Sequence, residues 1–156
     1  MSDLIEIRAL SPQEAAVLRS MLVMFGRAFG DSVTYATNQP DDTYLQRLLE
    51  SQTFVAIAAL AGTAVVGGMA GYILPKFEQA RSELYIYDLA VEEAYRRRGV
   101  ATSMIQKLKS LAAERGVYVI FVQADYGDDS AIALYKKFGV QEEVLHFDIA
   151  PDQHAA

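Results

Sequence analysis

The chain has no cysteine, only two histidines, and fewer basic than acidic residues, 14 against 20. Without cysteine there is no disulfide framework, no thiolate metal site and no cysteine nucleophile for acyl transfer. Two histidines without suitably spaced carboxylates give no metal site either. The net charge of −6 argues against nucleic acid as a partner and favours a cationic small molecule or protein, although an ordinary acidic domain has the same balance. No apolar run approaches the length of a membrane span, so no membrane partner is expected. The start, Met1-Ser2-Asp3-Leu4, lacks the basic and apolar regions of a secretory signal, and a cytoplasmic location is the expectation. Repeats, low-complexity segments and interdomain linkers are also missing.

What is present is a chain of 156 residues with 52% hydrophobic content, enough for one core-forming domain. That domain is expected over residues 1–150, with 151–156 as a polar tail in which His154 is mobile. Residues 4–10 alternate well enough for a short edge strand. Ser11-Pro12-Gln13-Glu14 reads as a capping box with proline at the first helical position, and Leu18, Met21, Leu22, Phe25 and Phe29 form one helical face ending at Gly30. A polar loop, 31–39, leads to a second helix opened by Pro40-Asp41-Asp42. Residues 54–60 and 64–74 read as a hairpin around Ala61-Gly62-Thr63, in which Gly67, Gly68 and Gly71 mark a bulge, a close approach or loose packing.

Between residues 82 and 91 the apolar parity changes, from Leu84 and Ile86 to Leu89 and Val91, which a bulge near Tyr87 and Asp88 explains. Ala101, Met104, Ile105, Leu108, Leu111 and Ala112 make a helical stripe closed by Gly116. The continuous apolar run 117–122 reads as a central buried strand. A short helix then carries Ala131, Leu134, Tyr135 and Phe138 on one side, and 144–149 reads as a last strand, in which His146 is a strand residue rather than a catalyst.

Arg96-Arg97-Arg98-Gly99-Val100-Ala101 lies where the bulged strand gives way to the long helix. Glycine at such a junction lets backbone approach a ligand, and the first helix N–H groups favour an anion. An arginine run is otherwise an ordinary solvated face. With arginine first, glycine fourth and alanine sixth, and with Ala131, Leu134, Tyr135 and Gly139 later, the chain resembles the Gcn5-related N-acetyltransferases (GNAT). Within that superfamily it is similar to the aminoglycoside 3-N-acetyltransferases. That likeness rests on Phe25-Gly26-Arg27-Ala28-Phe29-Gly30-Asp31, Gln39-Pro40-Asp41, residues 74–79, residues 85–91, residues 123–129 and His146-Phe147-Asp148-Ile149.

The resemblance implies an α/β (α+β) fold with a single mixed twisted sheet of six to seven strands and about four helices, splayed at a bulged central strand. It also implies acetyl-CoA as cofactor and direct acetyl transfer to the 3-amino group of an aminoglycoside, an antibiotic-resistance activity. The coenzyme is expected at Leu89, Ala90, Val91, Arg96, Arg97, Arg98, Gly99, Val100, Ala101, Thr102, Ala131 and Tyr135. Asp88 is implied as general base or amine anchor, with bulge bridging as its structural alternative. Tyr135 is implied as proton donor to the thiolate, with a core role as its alternative. Asp31, Tyr35, Glu83, Asp88, Asp125, Tyr126 and Asp128 are the substrate-facing candidates, although Asp128 or Asp129 also suits a helix cap. Other acceptors, a polyamine, another small amine or a protein amine, stay open, as does a non-catalytic coenzyme-binding module. A homodimer is compatible with a domain of this size, but no periodic seam specifies one.

Overall fold

The computed structural model describes residues 4–153, so the opening Met1-Ser2-Asp3 and His154 lie outside the described residues. Five strands form one sheet in the order β1-β2-β3-β4-β5: β1 (Ile5–Ala9), β2 (Phe54–Ala61), β3 (Ala64–Pro75), β4 (Ser82–Val91) and β5 (Val117–Val122). Neighbours are antiparallel except β4 and β5, which run parallel, so the sheet is mixed. Four longer helices accompany it: α1 (Ala15–Phe29), α2 (Asp42–Glu50), α3 (Val100–Glu114) and α4 (Asp129–Lys136). No described helix is long and apolar enough to cross a membrane.

β2 shows how the layers arise. Its sequence FVAIAALA is buried almost throughout, and its alternate side chains go to opposite faces. Val55, Ile57 and Ala59 join the α3 core, whereas Phe54, Ala56, Ala58 and Leu60 join the α1 and α2 core. Both faces of this strand are covered, so alternation of polar and apolar residues is lost.

β3 is thinned by glycine because helices press on it from both sides. A Cβ on Gly68 would stand 2.4 Å from Met21 Cγ of α1, and one on Gly67 would stand 3.3 Å from Val100 of α3. Close approach, not loose packing, explains the pair. Gly71 sits at the β3–β4 register shift, where Ala70 pairs with Asp88 and Gly71 with Ile86, leaving Tyr87 as the extra residue. The expected bulge is therefore present, on the strand beside the middle one rather than the middle strand itself.

Several expectations are corrected. α1 starts at Ala15: Glu14 accepts from the Ser11 N–H but also binds Arg8, so residues 11–14 form a turn before the helix rather than its first turn. The loop 31–39 contains a π-helical turn, Val33–Thr37, capped by Asp31. β5 is an edge strand with Tyr118 and Val119 exposed, because only β4 lies beside it. Residues 144–149 form no strand: they pair with nothing and are exposed. The sheet thus has five strands instead of six to seven.

Candidate active site

The site follows from the point where β4 and β5 part. Their pairing ends at Ile86 and Val122, after which β4 continues into its bulge while the chain leaves β5 for α4. The opening between them is a cleft of about 360 Å³, with Tyr87, Asp88 and Leu89 on one wall and Gln123, Ala124 and Asp125 on the other. Asp128, Ala131 and Tyr135 of the α4 region close its end. Past Ile86, the side of β4 that faced β5 has no strand beside it.

The bulge decides where Asp88 points. Before it, the even-numbered Leu84 and Ile86 face the α3 core; after it, Leu89 and Val91 do so. Without the extra residue Asp88 would share the parity of Leu84 and face that apolar core. Instead the Tyr35 hydroxyl donates to Asp88 Oδ1 at 3.0 Å. Burial raises the Asp88 pKa above the ordinary carboxylate value, and the Tyr35 hydrogen bond opposes that rise. Tyr35 is itself held by aromatic contacts with Phe25 and Phe29 of α1. Burial first, then the Asp88 charge, keep its phenol protonated well beyond the usual range.

Tyr135 reaches the cleft from α4. Its pKa is pushed up to about 12, mainly by burial and then by the Asp128 charge. Asp128 does two things: it lines the cleft and caps α4, accepting from the Ala131 N–H at 3.3 Å. Asp125 lines the opposite wall without any such capping role.

Other expected residues lie elsewhere. Asp31 accepts from the Thr34 N–H, and Glu83 accepts from the Tyr118 hydroxyl at 2.6 Å with Lys76 nearby, so neither borders the cleft. Tyr126 is almost fully exposed, outside the lining. Ala90 and Val91 are buried on opposite sides of β4. Among the described residues no cluster suits a metal ion.

The arginine turn has its own construction. Arg96 Nε donates to the Val91 carbonyl at 3.0 Å, tying the turn to the end of β4. Arg97 has φ of 64° and Gly99 of 76°, a tight path that brings the chain into α3. Arg98 lies over the Tyr95 ring. No side chain caps α3, so its first N–H groups, from Val100, Ala101 and Thr102, are open to an anion. Val100 itself is buried beneath the sheet.

Sequence reasoning missed Phe29, Tyr85, Tyr87 and Gln123, all of which border the cleft. Tyr85 stacks on Phe121 with ring centres 4.7 Å apart and donates to Gln123. The signal was the alternation of Tyr85 and Tyr87 with Leu84 and Ile86, which marks an aromatic face opposite the α3 core.

Known proteins show the same arrangement of elements. The profile of the acetyltransferase (GNAT) family matches residues 19–140. A crystal structure of an aminoglycoside acetyltransferase from an uncultured soil metagenomic sample is 56% identical, with a TM-score of 0.93 over 97% of this chain and 100% of that one. A second aminoglycoside acetyltransferase from soil, in complex with sisomicin, is 28% identical, with a TM-score of 0.83 over 95% and 97% of the two chains. An N-alpha-acetyltransferase of Sulfurisphaera tokodaii is 30% identical over 67% of this chain, and the match spans 66% of that relative's length.

Proposed function

We propose, from the premise that this chain belongs to the acetyltransferase (GNAT) family, that it acetylates an aminoglycoside at its 3-amino group. Acetyl-CoA is the donor in this family. The observation that carries the acceptor reading is the cleft itself: Asp88, Asp125 and Asp128 converge beside aromatic Tyr85 and Tyr87, which suits a polycationic aminosugar. The 56% identical aminoglycoside acetyltransferase supports the substrate class.

The donor side fits an elongated anionic thioester. The unpaired edge of β4 beyond Ile86 offers backbone groups to the arm, with Leu89 at the cleft, and the uncapped start of α3 offers N–H groups to the pyrophosphate. In the turn, Arg97 and Arg98 supply charge, while Arg96 holds the turn against β4.

The acceptor arrives as an ammonium. Asp88, partly desolvated and more basic than an ordinary carboxylate, holds that cation and takes its proton directly or through water. The amine nitrogen then bonds to the acetyl carbon and, now positively charged, gives its second proton to water, after which collapse of the tetrahedral intermediate breaks the carbon–sulfur bond and leaves a neutral amide. Tyr135 donates a hydrogen bond to the departing sulfur. With its pKa near 12 against about 8.5 for a thiol, full proton transfer would run uphill by about three-thousandfold, so the last proton comes from solvent.

A second reading, a peptide α-amine as acceptor, is favoured by the 30% identical N-alpha-acetyltransferase. Coenzyme release across a panel of aminoglycosides, polyamines and peptides separates the two. The proposal expects the highest kcat/KM with a gentamicin-like amine and product acetylated at the 3-position. Preference for peptide amines, or acetylation at another amino group, overturns the respective part.

A further inference from the structure

Beside the cleft the sheet carries a row of aromatic side chains, one on each of four neighbouring strands. Phe54 stands opposite Tyr72, Tyr72 opposite Tyr85, and Tyr85 opposite Phe121. Cross-strand partners share a face, and Phe54 belongs to the α1 and α2 core, so the row lies on the side of the sheet away from α3. Tyr87, the extra residue of the bulge, joins it. Its ring centre is 6.0 Å from that of Tyr72 and 5.5 Å from that of Tyr85, while Phe54 and Tyr72 are 5.5 Å apart and Tyr85 and Phe121 4.7 Å.

Only the Phe54 end of this row is buried. Tyr72 is 39% and Tyr87 61% exposed, and neither apolar core takes up Tyr72, Tyr85, Tyr87 or Phe121. Contiguous aromatic surface of this kind marks a place of contact. The hydroxyls of Tyr35 and Tyr85 are taken by Asp88 and Gln123, whereas those of Tyr72 and Tyr87 have no hydrogen-bond partner among the described residues. The row also runs into the charged part of the cleft. Tyr85 and Tyr87 border it, and burial first, then the Asp88 charge, raise the Tyr72 pKa, which places that carboxylate within reach of the middle of the row.

From β3 to β5 the row spans two strand spacings, about 10 Å. Flat phenols with unpaired hydroxyls and a carboxylate beside them suit a saturated aminosugar ring. Its C–H face lies on the rings, its hydroxyls meet theirs, and its ammonium groups stand over π faces near Asp88. An extended peptide adds to a sheet through backbone hydrogen bonds at an edge, and this surface is a face. We propose that the row is a second acceptor subsite, in which Tyr72 and Tyr87 hold a further ring of an aminoglycoside while the ring bearing the reacting amine stands at Asp88. The inference rests on the aminoglycoside reading above and adds Tyr72, outside the cleft lining, as a residue that sets acceptor size.

The test compares two ligands on the enzyme loaded with coenzyme A: gentamicin, with three rings, and 2-deoxystreptamine, its aminocyclitol ring alone. Dissociation constants are measured by calorimetry at low and high salt, and kcat and KM for gentamicin by coenzyme release. Gentamicin should bind more tightly, and the gain should persist at high salt, where a gain from charge alone is screened. Tyr72→Ala should narrow the ratio of the two dissociation constants on the order of tenfold and raise KM rather than lower kcat, whereas Tyr72→Phe should keep most of the gain. Should Tyr72→Ala not fold, Tyr72→Leu, which keeps apolar contact with Phe54, is read in its place, and the salt test on the unaltered enzyme decides alone if neither folds. Equal affinity for the two ligands, a gain lost at high salt, or a ratio unmoved by the Tyr72 variants overturns the subsite, while acetylation of gentamicin in that case leaves the proposed acceptor standing. No turnover of any aminoglycoside overturns both.

Discussion

Tyr35 and Asp88, 53 residues apart in the chain, are joined by a hydrogen bond of 3.0 Å from the phenol to the carboxylate. One comes from a π-helical turn after α1, the other from the bulge of β4. Together they link the loop 31–39 to the strand that borders the cleft. The bond pulls the Asp88 pKa down while burial pushes it up.

Tyr35→Phe keeps the ring contacts with Phe25 and Phe29 and removes only the donor. The Asp88 pKa then rises further, and the acidic limb of the kcat/KM profile moves to higher pH. Thermal unfolding should show a loss of about 1 kcal/mol. An unmoved limb would mean that Asp88 does not govern it.

Asp88→Asn should lower kcat by about 10² to 10⁴ and abolish the acidic limb, as read in a coenzyme-release assay. Its effect on stability has the opposite sign. A carboxyl whose pKa is raised by folding favours the folded state fully below its unfolded value, about 3.9, and loses that contribution as pH rises through the folded value. The asparagine variant should therefore gain in melting temperature on the parent at neutral pH, with the gain fading towards pH 3.

Tyr135→Phe should reduce kcat by about tenfold, the worth of one hydrogen bond to a charged sulfur, with KM for acetyl-CoA nearly unchanged. Because the phenol titrates near 12, the parent should show no alkaline limb from this residue at pH 9 to 10. A limb there that disappears in the variant would argue for full proton transfer.

Gly68→Ala places a methyl carbon 2.4 Å from Met21 Cγ and 2.6 Å from its sulfur. Overpacking of this kind costs about 1–3 kcal/mol, readable as a lower melting temperature. Met21 is flexible but fully buried, so it has little room to yield. Combining the change with Met21→Ala should cost less than the sum of the two single changes, measured by a double-mutant cycle.

Much of this molecule was legible in local pattern. The parity change at Tyr87 marks the bulge, the glycine after three arginines marks the start of α3, and the stripes carry most of the buried face of α3 and Leu18, Met21 and Phe25 of α1, although buried Met24 lies outside the α1 stripe and Phe29 within it is exposed at the cleft. What local pattern does not carry is which strand lies beside which. The run 117–122 looks like a buried strand because it is uniformly apolar, and its position at an edge depends on chain packing far from it. The same holds for 144–149, which reads as a strand by its alternation but pairs with no strand among the described residues. Among the site residues, Asp88 and Tyr135 were legible by motif and do meet at one cleft. Only their charge recommends Glu83 and Asp31 in the sequence, and their partners Tyr118 and Thr34 occupy them.

The adjacent glycines of β3 have a consequence for how this protein can change. Gly68 sets the distance of α1 from the sheet and Gly67 that of α3, so the spacing of the two halves resides in backbone rather than in exchangeable side chains. Of the loops carried by that frame, 123–128 borders the cleft and 31–39 reaches its wall through the bond from Tyr35 to Asp88. Residues of these loops can change without moving α1 or α3, so under the proposed function acceptor preference can drift while the turn 96–99 keeps its shape.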